Sequence, residues 1–226
     1  MSETVVHLLR HGEVHNPEGI LYGRREGFHL SERGRAMAQR VAEVLGERGI
    51  VHLAASPLER AQETAAPLAA RLGVEVQVEP RVIESTNAFE GLSFAQPVRT
   101  LLQPRHLVRL RNPLRPSWGE PYRDIEARMV AAVLDAREAA YGREALLVSH
   151  QLPIWTTRLS AEGRPFLHNP RSRQCTLCSV TSFHFSDDGL TRVSYSEPAG
   201  DLLPVADRAA PFSAGGSEAT AVEGHG

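Results

Sequence analysis

Thr4-Val5-Val6-His7-Leu8-Leu9-Arg10-His11-Gly12 is a short apolar run that stops abruptly in an arginine, a histidine and a glycine. Two later runs share its grammar: Val51-His52-Leu53-Ala54-Ala55 leads into Ser56-Pro57, and Ala145-Leu146-Leu147-Val148 leads into Ser149-His150. Brief, continuous apolar runs of this kind read as strands buried on both faces. Between them lie helical patterns over about 31–48 closed by Gly49, 56–72 closed by Gly73, and 121–141 closed by Gly142. Strands alternating with such helices predict an α/β three-layer sandwich, a mostly parallel central sheet with helices on both faces. Ligands of such sheets bind beyond the carboxyl ends of the strands, where the polar residues of all three runs fall.

The later part changes style. Residues 175–185 and 190–196 are strand-like and are joined by Ser186-Asp187-Asp188-Gly189, a hairpin signal, which predicts an antiparallel addition at the sheet edge. From about Pro198 the chain is rich in Ala, Gly and Ser and loses all periodicity, so a single domain over 1–197 followed by a disordered tail over 198–226 is expected. Residues 93–118 form the one local basic block, with Arg99, Arg105, His106, Arg109, Arg111 and Arg115 interrupted by prolines and no acid between Glu90 and Glu120. This block reads either as a lid-like insertion over the site or as a proline-broken loop of solvated arginines.

The composition excludes several classes. A formal net charge of -2 supplies no global attraction to nucleic acid or to an anionic membrane, and the basic block carries no nucleic-acid motif or aromatic platform. All 25 cationic residues are arginine, which fits the coding bias of a GC-rich genome and makes arginine informative only by position. The first apolar run is interrupted at His7 and ends at Arg10, too short for a signal sequence, and no run approaches the ~18 apolar residues of a membrane span. A cytoplasmic enzyme is the expectation. Cys175 and Cys178 form a lone C-x-x-C within an expected strand, where a three-residue offset points the side chains to opposite faces; no second pair completes a zinc site.

The residues at the strand ends suit phosphoryl transfer. A transferring phosphoryl group spreads negative charge over its oxygens, so its catalyst needs a nucleophile, fixed positive donors and an acid for the leaving oxygen. His11 is a competent nucleophile when neutral, Arg10 precedes it, and Gly12 is expected to let a phosphate approach the backbone. In Ser56-Pro57-Leu58-Glu59-Arg60, Ser56 reads as an N-cap and Glu59 as the partner of a capping box. Arg60 then falls on the first helical turn, able to offer its fork to phosphate. His150 ends the third run and can donate to phosphate oxygens when protonated. His7, His52, His168 and His184 read as strand or loop residues without a role, and His15 lacks the companions of a metal site.

Leu8-Leu9-Arg10-His11-Gly12-Glu13, then Ser56-Pro57-Leu58-Glu59-Arg60-Ala61-Gln62-Glu63-Thr64-Ala65, then Val148-Ser149-His150, in this order, resemble the histidine phosphatase superfamily, in the branch that includes the phosphoglycerate mutases. The resemblance spans roughly residues 4–160. It implies a phosphoglycerate mutase-like fold, His11 as nucleophile, Arg10, Arg60 and His150 as the phosphate pocket, and neither metal nor cofactor. It also implies a carboxylic acid from the middle of the chain. Arg81-Val82-Ile83-Glu84 and Phe89-Glu90-Gly91 resemble the family's Leu-x-Glu and Trp-Glu-Gly, which nominates Glu84, with Glu90 and Glu13 as competitors. Gly119-Glu120-Pro121-Tyr122 resembles the Gly-Glu-Ser that opens the family's late helix.

The departures carry information too. Val14 stands where Thr or Ser is usual, and Asn16 comes one residue early while keeping the usual spacing to Gly23, so Asn16 and Gly23 are expected at the substrate. Gln151 follows the second histidine where mutases carry Gly-Asn, which favours a phosphatase; its amide either positions water or substrate or simply begins a helix. The resulting expectation is a phosphatase that hydrolyses a small phosphomonoester through a phosphohistidine. The alternatives are a phosphoglycerate mutase, and a catalytically silent member that binds a phosphorylated ligand or a protein.

Overall fold

The computed structural model describes residues 3–92 and 119–203. The basic segment 93–118 and the greater part of the expected tail therefore lie outside the described residues. The elements run β1 (Thr4–Arg10), α1 (Glu32–Leu45), β2 (Ile50–Ala55), α2 (Glu59–Leu72), β3 (Gln77–Val78), α3 (Tyr122–Ala139), β4 (Glu144–Ser149), α4 (Gln151–Ala161), β5 (Val180–Ser186) and β6 (Gly189–Ser196). They form one six-stranded sheet of order β3-β2-β4-β1-β5-β6. The β3-β2, β2-β4 and β4-β1 pairings are parallel, whereas β5 joins β1 antiparallel and carries β6 as a hairpin partner.

Period-two alternation divides the strand side chains between two cores. Leu9, Leu53, Ala55, Leu146 and Val148 face α1 and α2, in a cluster with Met37, Val41, Ala61, Ala65 and Leu68. Val6, Leu8, Ala54, Ala145 and Leu147 face the other way, toward Ile125, Met129, Val133 and Ile154 of α3 and α4. The expected sandwich is thus realised, with helices on both faces and the antiparallel addition at one side. Register then places the site: Arg10 lies opposite Ser149, and Ala55 opposite Val148, so β1, β2 and β4 end along one edge.

Several local expectations change. The helix after β2 begins at Glu59 rather than Ser56, with Leu58 at the cap position and no side-chain cap. Both members of the expected capping box are engaged elsewhere: Ser56 Oγ lies 2.8 Å from His150 Nε2, and Glu59 Oε1 accepts from Gly27 N at 2.8 Å. The first helix stops at Leu45, short of the expected 48. Cys175 and Cys178 precede β5 instead of lying on it, in a turn where Ser179 N donates to Thr176 O at 3.1 Å and Cys178 adopts φ 54°. The chain also stays packed beyond 197, since Ala199 and Leu203 belong to the core cluster on the α1 and α2 face.

Among the described residues no helix is long and apolar enough to cross a membrane, and no group of His, Cys, Asp and Glu is arranged to hold a metal ion.

Candidate active site

His11 leaves the end of β1 with its backbone N–H donating to Ser149 O at 3.1 Å, so the neighbouring parallel strand fixes its direction. Its Nδ1 lies 2.8 Å from Gly12 O. A carbonyl only accepts, so Nδ1 carries the proton and Nε2 keeps its lone pair. Burial, then the charges of Arg60 and Arg10, hold the His11 pKa well below the ordinary 6.5, so the ring is neutral at physiological pH. A neutral imidazole with a fixed tautomer and a free Nε2 lone pair is the form a nucleophile requires.

The expected role of Gly12 changes. A Cβ there would come within 2.7 Å of Gly34 O, and a Cβ on Gly34 within 2.0 Å of Glu13 O. The two glycines therefore permit the β1 exit to cross the first turn of α1, and the Gly12 N–H donates to Thr64 Oγ1 at 3.0 Å. Glu13 is removed from contention as an acid, because it is buried with Ser31 Oγ on one oxygen (2.7 Å) and Arg33 Nη1 on the other (2.9 Å).

Arg60 on the first turn of α2 has 0% of its surface exposed. Its Nη2 donates to Gly23 O at 2.7 Å and lies 3.4 Å from His150 Nδ1, and its guanidinium carbon sits 4.6 Å from the Tyr22 ring centre. Nε and Nη1 have no hydrogen-bond partner, and the residue forms no ion pair among the described residues. Burial lowers its pKa from the usual arginine value. Arg10, also buried, donates from Nη1 to Cys175 O at 2.7 Å.

His150 stands at the end of β4, its ring centre 5.1 Å from that of His11. Arg60 can only donate, so Nδ1 accepts from it and Nε2–H donates to Ser56 Oγ. Burial and the charge of Arg60 hold this histidine neutral as well, far below 6.5. A bound phosphate would reverse that charge balance and let the ring take the donor role expected of it.

Glu84 follows the short turn at Pro80–Val82, and its Oε1 accepts from Ser85 N at 2.8 Å. Its charge is felt by Arg60, Tyr22 and Arg173, which places the carboxylate beside the pocket. A clamp of two arginines around Glu120 holds this loop. Arg24 Nε donates to Glu84 O (2.6 Å), Arg128 Nη1 donates to Ile83 O (2.7 Å), and both arginines grip Glu120 (2.9 Å and 2.8 Å). Glu90 instead receives Asn87 N at 3.0 Å and lies against Gly23.

The remaining expected residues divide. Gly23 reaches the site through its carbonyl on Arg60, in a left-handed conformation of φ 45°. Asn16 is buried and turned back on its own loop, accepting from Ile20 N at 3.0 Å and donating to Ile20 O at 2.8 Å. Gln151 does begin α4, and its Nε2 donates to Cys175 O at 3.3 Å, the carbonyl that Arg10 also holds. Reading the sequence missed Tyr22, whose ring meets His11 edge-on at 6.5 Å, and Thr64, which couples α2 to Gly12. Thr64 was findable, because four residues after Arg60 is the same helix face. Tyr22, Arg173 and the two clamp arginines, Arg24 and Arg128, carry no local signal, and Glu120 stood out only through its resemblance to the family's Gly-Glu-Ser.

Known proteins bear on this geometry. The uncharacterized protein Rv0525 of Mycobacterium tuberculosis (strain ATCC 25618 / H37Rv) is 55% identical over 198 residues, covering 88% of this chain and 98% of its own length. The probable phosphoglycerate mutase GpmB of Enterobacter sp. (strain 638) is 29% identical, covering 87% and 93%. The solved structure of mycobacterial glucosyl-3-phosphoglycerate phosphatase Rv2419c with VO3 is similar with a TM-score of 0.67 at 26% identity, covering 85% of this chain and 97% of that one. Residues 6–198 match the histidine phosphatase superfamily (branch 1), and with a histidine, two arginines and a second histidine gathered at one sheet edge, the chain belongs to that superfamily.

Proposed function

We propose that the chain is a phosphatase that hydrolyses a small phosphomonoester through a phosphohistidine on His11. The observation that carries this reading is the neutral His11, its Nδ1 proton donated to Gly12 O, beside a fully buried Arg60 whose Nε and Nη1 have no partner among the described residues. A buried cation with no ion pair among the described residues is costly, and an arriving phosphate dianion supplies a partner.

In the first step His11 Nε2 attacks phosphorus in line, the N–P bond forms, and the bond to the leaving oxygen breaks. Arg10 and Arg60 take the charge on the equatorial oxygens, with His150 as a further donor once the phosphate has restored its proton. Glu84 gives its proton to the leaving oxygen, and the alcohol departs. Water then attacks phosphorus, the Glu84 carboxylate takes a proton from it, and inorganic phosphate leaves while His11 is regenerated. Gln151 in place of the Gly-Asn of mutases favours water over a returning hydroxyl as acceptor.

A hydrolysis screen over phosphate monoesters, run on wild type and His11→Ala, together with acid-quench trapping of radiolabelled phosphoenzyme, tests the reading. Hydrolysis and label that both vanish in His11→Ala are expected. With 3-phosphoglycerate, formation of 2-phosphoglycerate in place of free phosphate would establish the mutase alternative. Absence of both turnover and phosphoenzyme on every ester would establish the silent one.

A further inference from the structure

Arg173, in the segment between α4 and β5, takes no part in the phosphate pocket described above, yet it is wired to it. Its Nε donates to His168 Nε2 at 2.8 Å and its Nη1 lies 3.5 Å from Gln151 Oε1. Gln151 and Arg10 share the Cys175 carbonyl, so one amide and one carbonyl connect Arg173 to a phosphate-pocket arginine. Burial lowers its pKa from the usual arginine value, and of the charges of the site Glu84 favours its cation while Arg10 opposes it.

Two other half-buried arginines have carboxylate partners: Arg128 holds Glu120 and Arg158 holds Glu162, both at 2.8 Å. Arg173 is similarly removed from water but forms no ion pair among the described residues. Beside it stand the half-buried rings of Tyr122, Phe166 and His168, with Tyr122 stacked on Phe166 at 5.9 Å and edge-on to His168 at 6.2 Å. Its neighbour Glu84 is the group that meets the leaving oxygen in the proposed reaction.

We propose that Arg173 is a specificity-determining residue that binds a second anionic group, a carboxylate or a further phosphate, on the leaving group of the substrate; this rests on the phosphatase reading. His168 and Gln151 are its positioning residues. His168 accepts from Nε and Gln151 faces Nη1, which leaves Nη2 for the anion and sets its direction.

The test compares wild type, Arg173→Gln and Arg173→Lys on 4-nitrophenyl phosphate, 3-phosphoglycerate and a sugar bisphosphate. Wild type should prefer one of the two doubly anionic esters. In Arg173→Gln the KM for that ester should rise by about tenfold to a hundredfold, the worth of a charge-assisted hydrogen bond, and exceed any rise for 4-nitrophenyl phosphate at least tenfold. Arg173→Lys should recover part of the difference, and which ester responds tells carboxylate from phosphate. Equal losses on all three esters accompanied by a lower Tm would show a structural role and overturn the proposal. So would a wild type indifferent to the second charge.

Calorimetric binding separates this from failure of the phosphatase reading. If no ester turns over, 3-phosphoglycerate or the bisphosphate must still bind more tightly than inorganic phosphate, by a margin that Arg173→Gln removes. Absence of that margin overturns the proposal on its own.

Discussion

Replacing Arg60 by methionine should destroy activity while leaving the fold intact or more stable. The substitution removes the Nη2 hydrogen bonds to Gly23 O at 2.7 Å and His150 Nδ1 at 3.4 Å, and the contact with the Tyr22 ring at 4.6 Å. An unsatisfied Gly23 carbonyl costs about 1–3 kcal/mol, and the lost cation–π contact about 0.5–2 kcal/mol. Against these stands the removal of a fully buried guanidinium whose Nε and Nη1 have no hydrogen-bond partner and which forms no ion pair among the described residues, a penalty of several kcal/mol. Methionine fills much of the vacated volume. The net expectation is between no change and a gain of about 2 kcal/mol in unfolding free energy, read by urea denaturation.

Activity should move the other way. One preorganised donor to a developing oxyanion is worth roughly 10²–10³ in kcat. Arg60 has more than one to offer, from Nε and Nη1, so kcat should fall by at least about 10³. Inorganic phosphate should stabilise the wild type by about 2.7 kcal/mol at a hundred times its Kd, and leave the variant's unfolding curve in place. A variant that keeps activity within tenfold of wild type, or one still stabilised by phosphate, would refute the assignment of those N–H groups to the substrate.

Four further outcomes follow from the same geometry. Glu84→Gln should lower kcat by about 10²–10³ on alkyl phosphates and far less on 4-nitrophenyl phosphate, whose leaving group needs no proton; equal losses would remove Glu84 from the acid role. Glu120→Gln, which loosens the Arg24 and Arg128 clamp, should show the same selectivity more weakly in parallel assays on the two esters. Gly34→Ala should destabilise by about 1–3 kcal/mol despite the better helix propensity of alanine, because its Cβ would meet Glu13 O at 2.0 Å, as urea denaturation will show. His11 and His150 are neutral in the folded chain, whereas the unfolded chain protonates them near pH 6.5. Stability is therefore full above that pH and falls below it, by up to about 1.4 kcal/mol per pH unit for each histidine, until the folded pKa values are passed. The acid limb of kcat/KM should likewise lie below pH 6.5, and a limb above it would show that one of these rings is charged.

The patterns of β1, β2 and β4 determined the class of fold, because a parallel strand buried on both faces must be apolar throughout and must hand its polar residues to the loop beyond its end. That is why His11, Arg60 and His150, far apart in the chain, were legible together. The same reading failed where a side chain had two options. Ser56 had the sequence of a helix cap, but a partner from β4, His150, takes its hydroxyl. Gly12 suggested room for phosphate, but the space belongs to the carbonyl of Gly34. Residues 175–179 have strand composition, yet the Cys175 carbonyl is drawn to Arg10 and Gln151 and the chain turns there.

The sequence by itself determined the sheet, the two histidines and the two arginines, since periodicity and ordered motifs are local properties. Only the tertiary structure decided the tautomer of His11, the unpartnered Nε and Nη1 of Arg60, the clamp on the Glu84 loop and the nearness of Arg173. Each of those depends on which carbonyl, carboxylate or ring the fold brings within about 3 Å of a polar atom, the reach of a hydrogen bond.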